Sequence, residues 1–222
     1  MTAAFAFPCK PYKIYIREQW IDSYAKLNGT KVSGHPRDAH CREVERSNYF
    51  QDSTKQTFKN IKPKIKKWNA IEKKTVEEYL ALLPPWLSRY YLTEILRGDI
   101  GGHPNNPGGS VASTRTLLIF DRFFKEPDKR AVIIHEIAHI ALPSIDPELK
   151  FEFARASGWS FNENNKLIHP SKLLMDDSKD SVNKDLTNYI ESYYTDSNRL
   201  MTFNPLAFLV IKKVIDSKEN ER

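Results

Sequence analysis

AVIIHEIAHIAL, residues 131–142, sets three polar side chains, His135, Glu136 and His139, inside a run that is otherwise apolar. Residues four apart on a helix lie one above the other. His135 and His139 can therefore offer two imidazole nitrogens to one ion, and Glu136, one step round the helix, can reach a water on that ion. Ile133, Ile134, Ile137, Ala138, Ile140 and Ala141 surround them, which predicts a helix buried on all sides. Burying two imidazoles and a carboxylate without partners would cost several kcal/mol, on the order of that for any unpaired buried polar group. A zinc ion offsets that cost; the competing arrangement is a pair of core histidines satisfied by hydrogen bonds, with Glu136 paired to a lysine or arginine.

Two histidines do not complete a catalytic zinc site, which takes three protein ligands and one open position. The third ligand sorts the families. A Gly and a His at fixed spacing after His139 would give the metzincin pattern, but Leu142 and Ile145 occupy those places. A carboxylate from a later helix remains.

Outward from this stretch the chain divides into two parts. Residues 1–50 are polar, carry scattered Pro and Gly and lack a helical period, so they predict an extended N-terminal arm. Tyr12, Ile14 and Ile16 alternate there as in a strand, and Asn28-Gly29 signals a turn. His35, His40 and Cys41 lack a fourth ligand for a closed metal site and predict a surface loop. Residues 51–222 form the main domain. Lys55 to Lys74 are strongly basic around an apolar stripe of Phe58, Ile61, Ile65 and Trp68, a helix that Pro63 would divide. Thr75 and Glu78 make a capping box for a helix ending at Pro84-Pro85, and a second helix is predicted from Trp86 to Arg97.

Gly98 to Ser110, GDIGGHPNNPGGS, predicts an irregular connection and lacks the Gly-Lys-Ser/Thr of a phosphate loop. Thr114 to Phe120 is a β-prone run, the candidate by position for pairing with an extended substrate. The central helix is expected from about residue 127 to 142, followed by one capped by Asp146 with Pro147 in its first position. Residues 159–184 read as irregular. Helices are expected again from about Asp185 and after Pro205.

The composition is globular, 40% apolar and 12% aromatic, and the net charge of +6 favours acidic partners. The lysine run lacks arginine and interleaved aromatics, which argues against nucleic acid as a partner. Two cysteines are too few for a disulfide framework. No apolar run approaches the roughly 20 residues that cross a bilayer, and Met1 to Lys10 lacks the basic start of a signal peptide. A soluble protein is expected, cytoplasmic or secreted by a route without a signal peptide.

The leucine-proline pair at 82–85, the strand ending at Asp121, the HEIAH helix, Gly158-Trp159, and a tyrosine-rich helix followed by Leu200 and Pro205 resemble compact bacterial zinc peptidases. That family includes the catalytic domain of anthrax lethal factor. The likeness spans roughly residues 82–215, and HEIAH is its one sharply specific motif. It implies an α+β, mostly helical, zincin-like domain with a small sheet beside the metal helix. It implies further a Zn2+ cofactor held by His135, His139 and a glutamate, and hydrolysis of peptide bonds in a protein substrate, as by a bacterial effector or toxin. The family places its ligand glutamate where this chain has Lys184-Asp185, and Lys184 cannot bind zinc. Glu191, two turns on, is taken as the third ligand, with Asp185 as the alternative. Asp177 stands where the family has an oxyanion-binding tyrosine, leaving Tyr189, Tyr193, Tyr194 and His169 as replacements. These departures define a second possibility, a catalytically inactive zincin-fold protein acting as a binding module.

Overall fold

A computed structural model describes residues 13–16, 19–21, 24–25, 31–33, 35–37, 40–43, 64–88, 92–100, 105–162 and 166–220. In the N-terminal part six short strands pair as a nested antiparallel ribbon. β1 (Lys13–Ile16) joins β6 (His40–Glu43), β2 (Gln19–Ile21) joins β5 (His35–Arg37), and β3 (Tyr24–Ala25) joins β4 (Lys31–Val32). The expected strand near Tyr12 to Ile16 is thus β1. The segment expected as a loop, with His35, His40 and Cys41, contributes two strands; the Asn28-Gly29 turn lies outside the described residues.

The rest is α+β and mostly helical. Its first helix, α1 (Ala70–Ala81), begins five residues before the expected capping box. Asn69 accepts a hydrogen bond from the Glu72 amide at 2.8 Å, so the earlier Asn-x-x-Glu pattern caps the helix and Thr75 lies inside it. The lysine-rich helix does not extend into residues 64–69, which are not helical; most of its predicted span lies outside the described residues. A single turn at Pro85–Leu87 follows α1, and β7 (Glu94–Arg97) stands where the sequence predicts the end of a helix. Short apolar runs satisfy both periods, and here the pairing partner decides the outcome. β7 runs parallel to β9 (Thr116–Ile119), which pairs antiparallel on its other side with β8 (Gly108–Val111).

Ile65 bridges to Gly98 beside β7, and the Lys66 amide donates to the Arg97 carbonyl at 2.8 Å. The Arg97 side chain, 3% exposed, binds Glu72 of α1 at 2.9 Å and also Asp121 and the Gly98 carbonyl. Lys66 reaches the same Asp121 at 2.8 Å. One buried guanidinium therefore ties α1, the sheet and the turn after β9 together.

α2 (Lys129–Ala141) packs against α4 (Val182–Thr195), and α3 (Pro147–Ser157), α5 (Ser197–Phe203) and α6 (Pro205–Asn220) pack on α4 and extend the same apolar core. The Asp146 cap and Pro147 start of α3 are as expected, and Gly158 closes it with φ of 101°, a left-handed conformation that glycine adopts without a side-chain clash. The region expected to be irregular contains a small antiparallel pair, β10 (Ser160–Phe161) and β11 (Leu167–Ile168). α4 starts three residues early because Ser181 accepts from the Lys184 amide at 3.1 Å. No described helix is long and apolar enough to cross a membrane.

Replacing Arg97 by alanine should destabilise the protein by an amount near the lower end of the roughly 3–5 kcal/mol typical of a broken buried ion pair, because Asp121 keeps partial access to water. Urea unfolding of R97A measures this; an unchanged midpoint would contradict the clamp.

Candidate functional site

α2 is buried on every side but one. Ile133, Ile134, Ile137, Ala138, Ile140 and Ala141 are core residues, while Val132, His135, Glu136 and His139 form a half-buried stripe. These four positions follow the i, i+3, i+4, i+7 spacing of one helix face. The sequence expectation of burial all round therefore holds except along the stripe that carries the polar groups.

Nε2 of His135 and Nε2 of His139 lie 3.2 Å apart, with the rings edge to face. α4 packs against this stripe and occupies both outer nitrogens. Oε2 of Glu191 is 2.9 Å from Nδ1 of His135, and Oγ1 of Thr187 is 3.2 Å from Nδ1 of His139. Thr187 and Glu191 are four apart, as are the two histidines, and their order is reversed, so the helices run antiparallel across the contact.

On the other flank Ser110 of β8 donates to Oε2 of Glu136 at 2.9 Å. Gly108 makes this approach possible. A Cβ at that position would lie 3.0 Å from Cγ of Glu136 and 3.3 Å from Cγ1 of Val132, a tight contact that would push those side chains back by a few tenths of an ångström.

The electrostatics separate the two imidazoles. Burial opposes charge on His135, but the Glu191 contact and the neighbouring carboxylates of Glu136 and Asp177 outweigh it and raise its pKa. Burial, with the charges of His135 and Lys184, lowers His139 to about 3 and keeps that ring neutral. Glu136 is raised, chiefly by burial, with Ser110 and His135 working against the shift.

Of the sequence-derived candidates, His135, Glu136, His139 and Glu191 come together. Glu191 meets the outer nitrogen of His135 and does not stand beside the Nε2 pair. Asp185 goes elsewhere: it is 1% exposed and accepts from Nε1 of Trp159 at 2.9 Å, fastening the end of α3 to the start of α4. Lys184 bonds Asp180 at 2.6 Å. Tyr189 packs on Phe153 and Phe203, Tyr193 stacks on Phe208, Tyr194 accepts from Trp86, and His169 contacts the Pro170 carbonyl. Thr187, Ser110 and Gly108 are the residues that sequence reasoning missed. The GGS of β8 carried a signal, since small residues in a strand mark close approach by a neighbour, but glycines and prolines around it read as a loop.

The strand nominated for substrate pairing needs correction. β9 is the central strand and both its edges are used, whereas β8 has one strand partner among the described residues and lies against α2.

The histidine pair fits zinc. Ligand nitrogens on a tetrahedral ion with bonds of about 2.0–2.1 Å stand roughly 3.3 Å apart, close to the observed 3.2 Å. Among the described residues no group of three or more His, Cys, Asp or Glu side chains is gathered as a metal site. No protein-family model and no curated protein matches the chain.

Burial raises Asp185 to about 6, against the hydrogen bonds from Trp159, Ser178 and Ser157. A carboxyl whose folded pKa lies above its unfolded value binds its proton more tightly when folded, so its contribution to stability falls as pH rises from about 4 to about 6. A shift of that size is worth on the order of 3 kcal/mol. Unfolding curves across this window should show D185N gaining stability relative to the wild type as pH rises. A pH-independent difference would contradict the burial of Asp185.

Proposed function

We propose that the protein is a zinc-dependent metallopeptidase that hydrolyses peptide bonds of a protein or peptide substrate. The observation that carries this reading is the convergence of two histidine Nε2 atoms at 3.2 Å, with both outer nitrogens engaged by α4 and the half-buried carboxylate of Glu136 one residue away. His135 and His139 would hold the ion through Nε2. Glu191, nominated from the sequence as the third ligand, lies at the outer nitrogen of His135. In its present position its carboxylate fixes the ring of His135 from behind, an arrangement common around metal-bound imidazoles.

When bound, zinc supplies a Lewis acid that polarises a carbonyl and acidifies a water molecule. The chain's own groups divide the remaining tasks. Glu136 takes a proton at its carboxylate and returns it to the leaving amine; burial raises its proton affinity, and Ser110 holds one of its oxygens. β8, with a free edge among the described strands and Ser110 on it, suits an extended peptide bound by main-chain hydrogen bonds. The zincin-like family assignment and a role as bacterial effector or toxin rest on the sequence resemblance.

A second reading is an inactive zincin-fold protein that acts as a binding module. It is favoured by Lys184, paired to Asp180 where the resemblance expects a ligand, and by the two-donor metal set.

Purified protein is expected to carry about one zinc per chain and H139A to carry none, measured by elemental analysis. E136Q should keep the metal and lose hydrolysis of a peptide library by about 10²–10⁴-fold. Full activity in E136Q would overturn the mechanism, and a zinc-replete wild type without hydrolysis would favour the binding module.

A further inference from the structure

We infer that Thr187 is a positioning residue for the metal pair, locking His139 into the tautomer whose Nε2 is free to bind a cation. The inference rests on the zinc reading above. Thr187 is fully buried in the middle of α4, where a threonine side chain has little intrinsic reason to be. Its hydroxyl has one proton, and Oγ1 lies 2.9 Å from the Asn183 carbonyl one turn back. A carbonyl can only accept, so the proton goes there. The Thr187 oxygen then faces Nδ1 of His139 at 3.2 Å with only lone pairs to offer, and Nδ1 must carry the hydrogen.

A neutral imidazole, the form that binds a metal ion, has one N–H. Nε2 of His139 therefore presents a lone pair toward Nε2 of His135. Glu191 acts in parallel on the neighbouring ring, since a carboxylate on Nδ1 of His135 accepts from it. The two anchors differ in kind. Glu191 brings a charge, whereas Thr187 brings direction alone, through a hydroxyl whose own proton is committed to the helix backbone. Without that commitment the hydroxyl could donate to Nδ1, and the ring would turn an N–H toward the ion.

Two measurements test this assignment. In nitrogen-15 spectra of the zinc-free wild type, His139 should carry its proton on Nδ1; a proton on Nε2 alone would overturn the inference without any substitution. In titrations with zinc ion, T187V, which keeps the shape and removes the acceptor, should bind about 10–100-fold more weakly, while T187S should bind like the wild type. Equal affinity in T187V, or an equal loss in T187S, would overturn the role of the hydroxyl. A wild type that binds no zinc would instead overturn the metal reading itself, and this inference with it.

Discussion

The antiparallel contact between α2 and α4 is the constraint on which the rest of the molecule depends. Two imidazoles on α2 are partly withdrawn from water, and each outer nitrogen is met by a side chain of α4, Glu191 at 2.9 Å and Thr187 at 3.2 Å. Ile133, Ile134 and Ile137 of one helix and Leu186, Tyr189 and Ile190 of the other are buried in one shared apolar core, which holds both helices in place. Slide either helix by one residue and the polar pairs separate. The packing thus fixes the direction of both rings, and their inner nitrogens meet as a consequence.

The sheet closes the other side of the site. β8 approaches α2 closely enough that a Cβ at Gly108 would crowd Glu136, and Ser110 binds the carboxylate. β8 is held by β9, β9 by β7, and β7 by the Arg97 cluster that reaches α1 and Asp121. A charge network some distance from the histidines therefore determines where the strand beside Glu136 can sit. Trp159 and Asp185 do the same for α4, fastening its first turn to the end of α3.

The parts of this arrangement legible in the sequence are those whose signal is local. The apolar run around HEIAH, the Asp146-Pro147 start and Gly158 end of α3, and the helix after Pro205 each carry their own period, cap or breaker. β7 was not legible, because Leu-Ile-Leu spacing near 92–96 satisfies a helix as well as a strand and only its pairing with Thr116–Ile119 decides. The same holds in the site. His135, Glu136 and His139 announce themselves by spacing within one helix, whereas the choice between Asp185 and Glu191 depends on the register of α4 against α2. Asp185 is diverted to Trp159, and Glu191 reaches His135 at the outer nitrogen. Thr187 was invisible for a further reason: its role depends on where one proton goes, and that is set by a carbonyl one turn away.

The central claim is that the gap between two Nε2 atoms is a cation site. Anomalous diffraction at the zinc absorption edge, from crystals grown with zinc, examines that gap directly. A single strong peak about 2.0–2.1 Å from Nε2 of both His135 and His139 is the expected result. Peaks confined to other surfaces of the molecule, with none between the two rings, would contradict it.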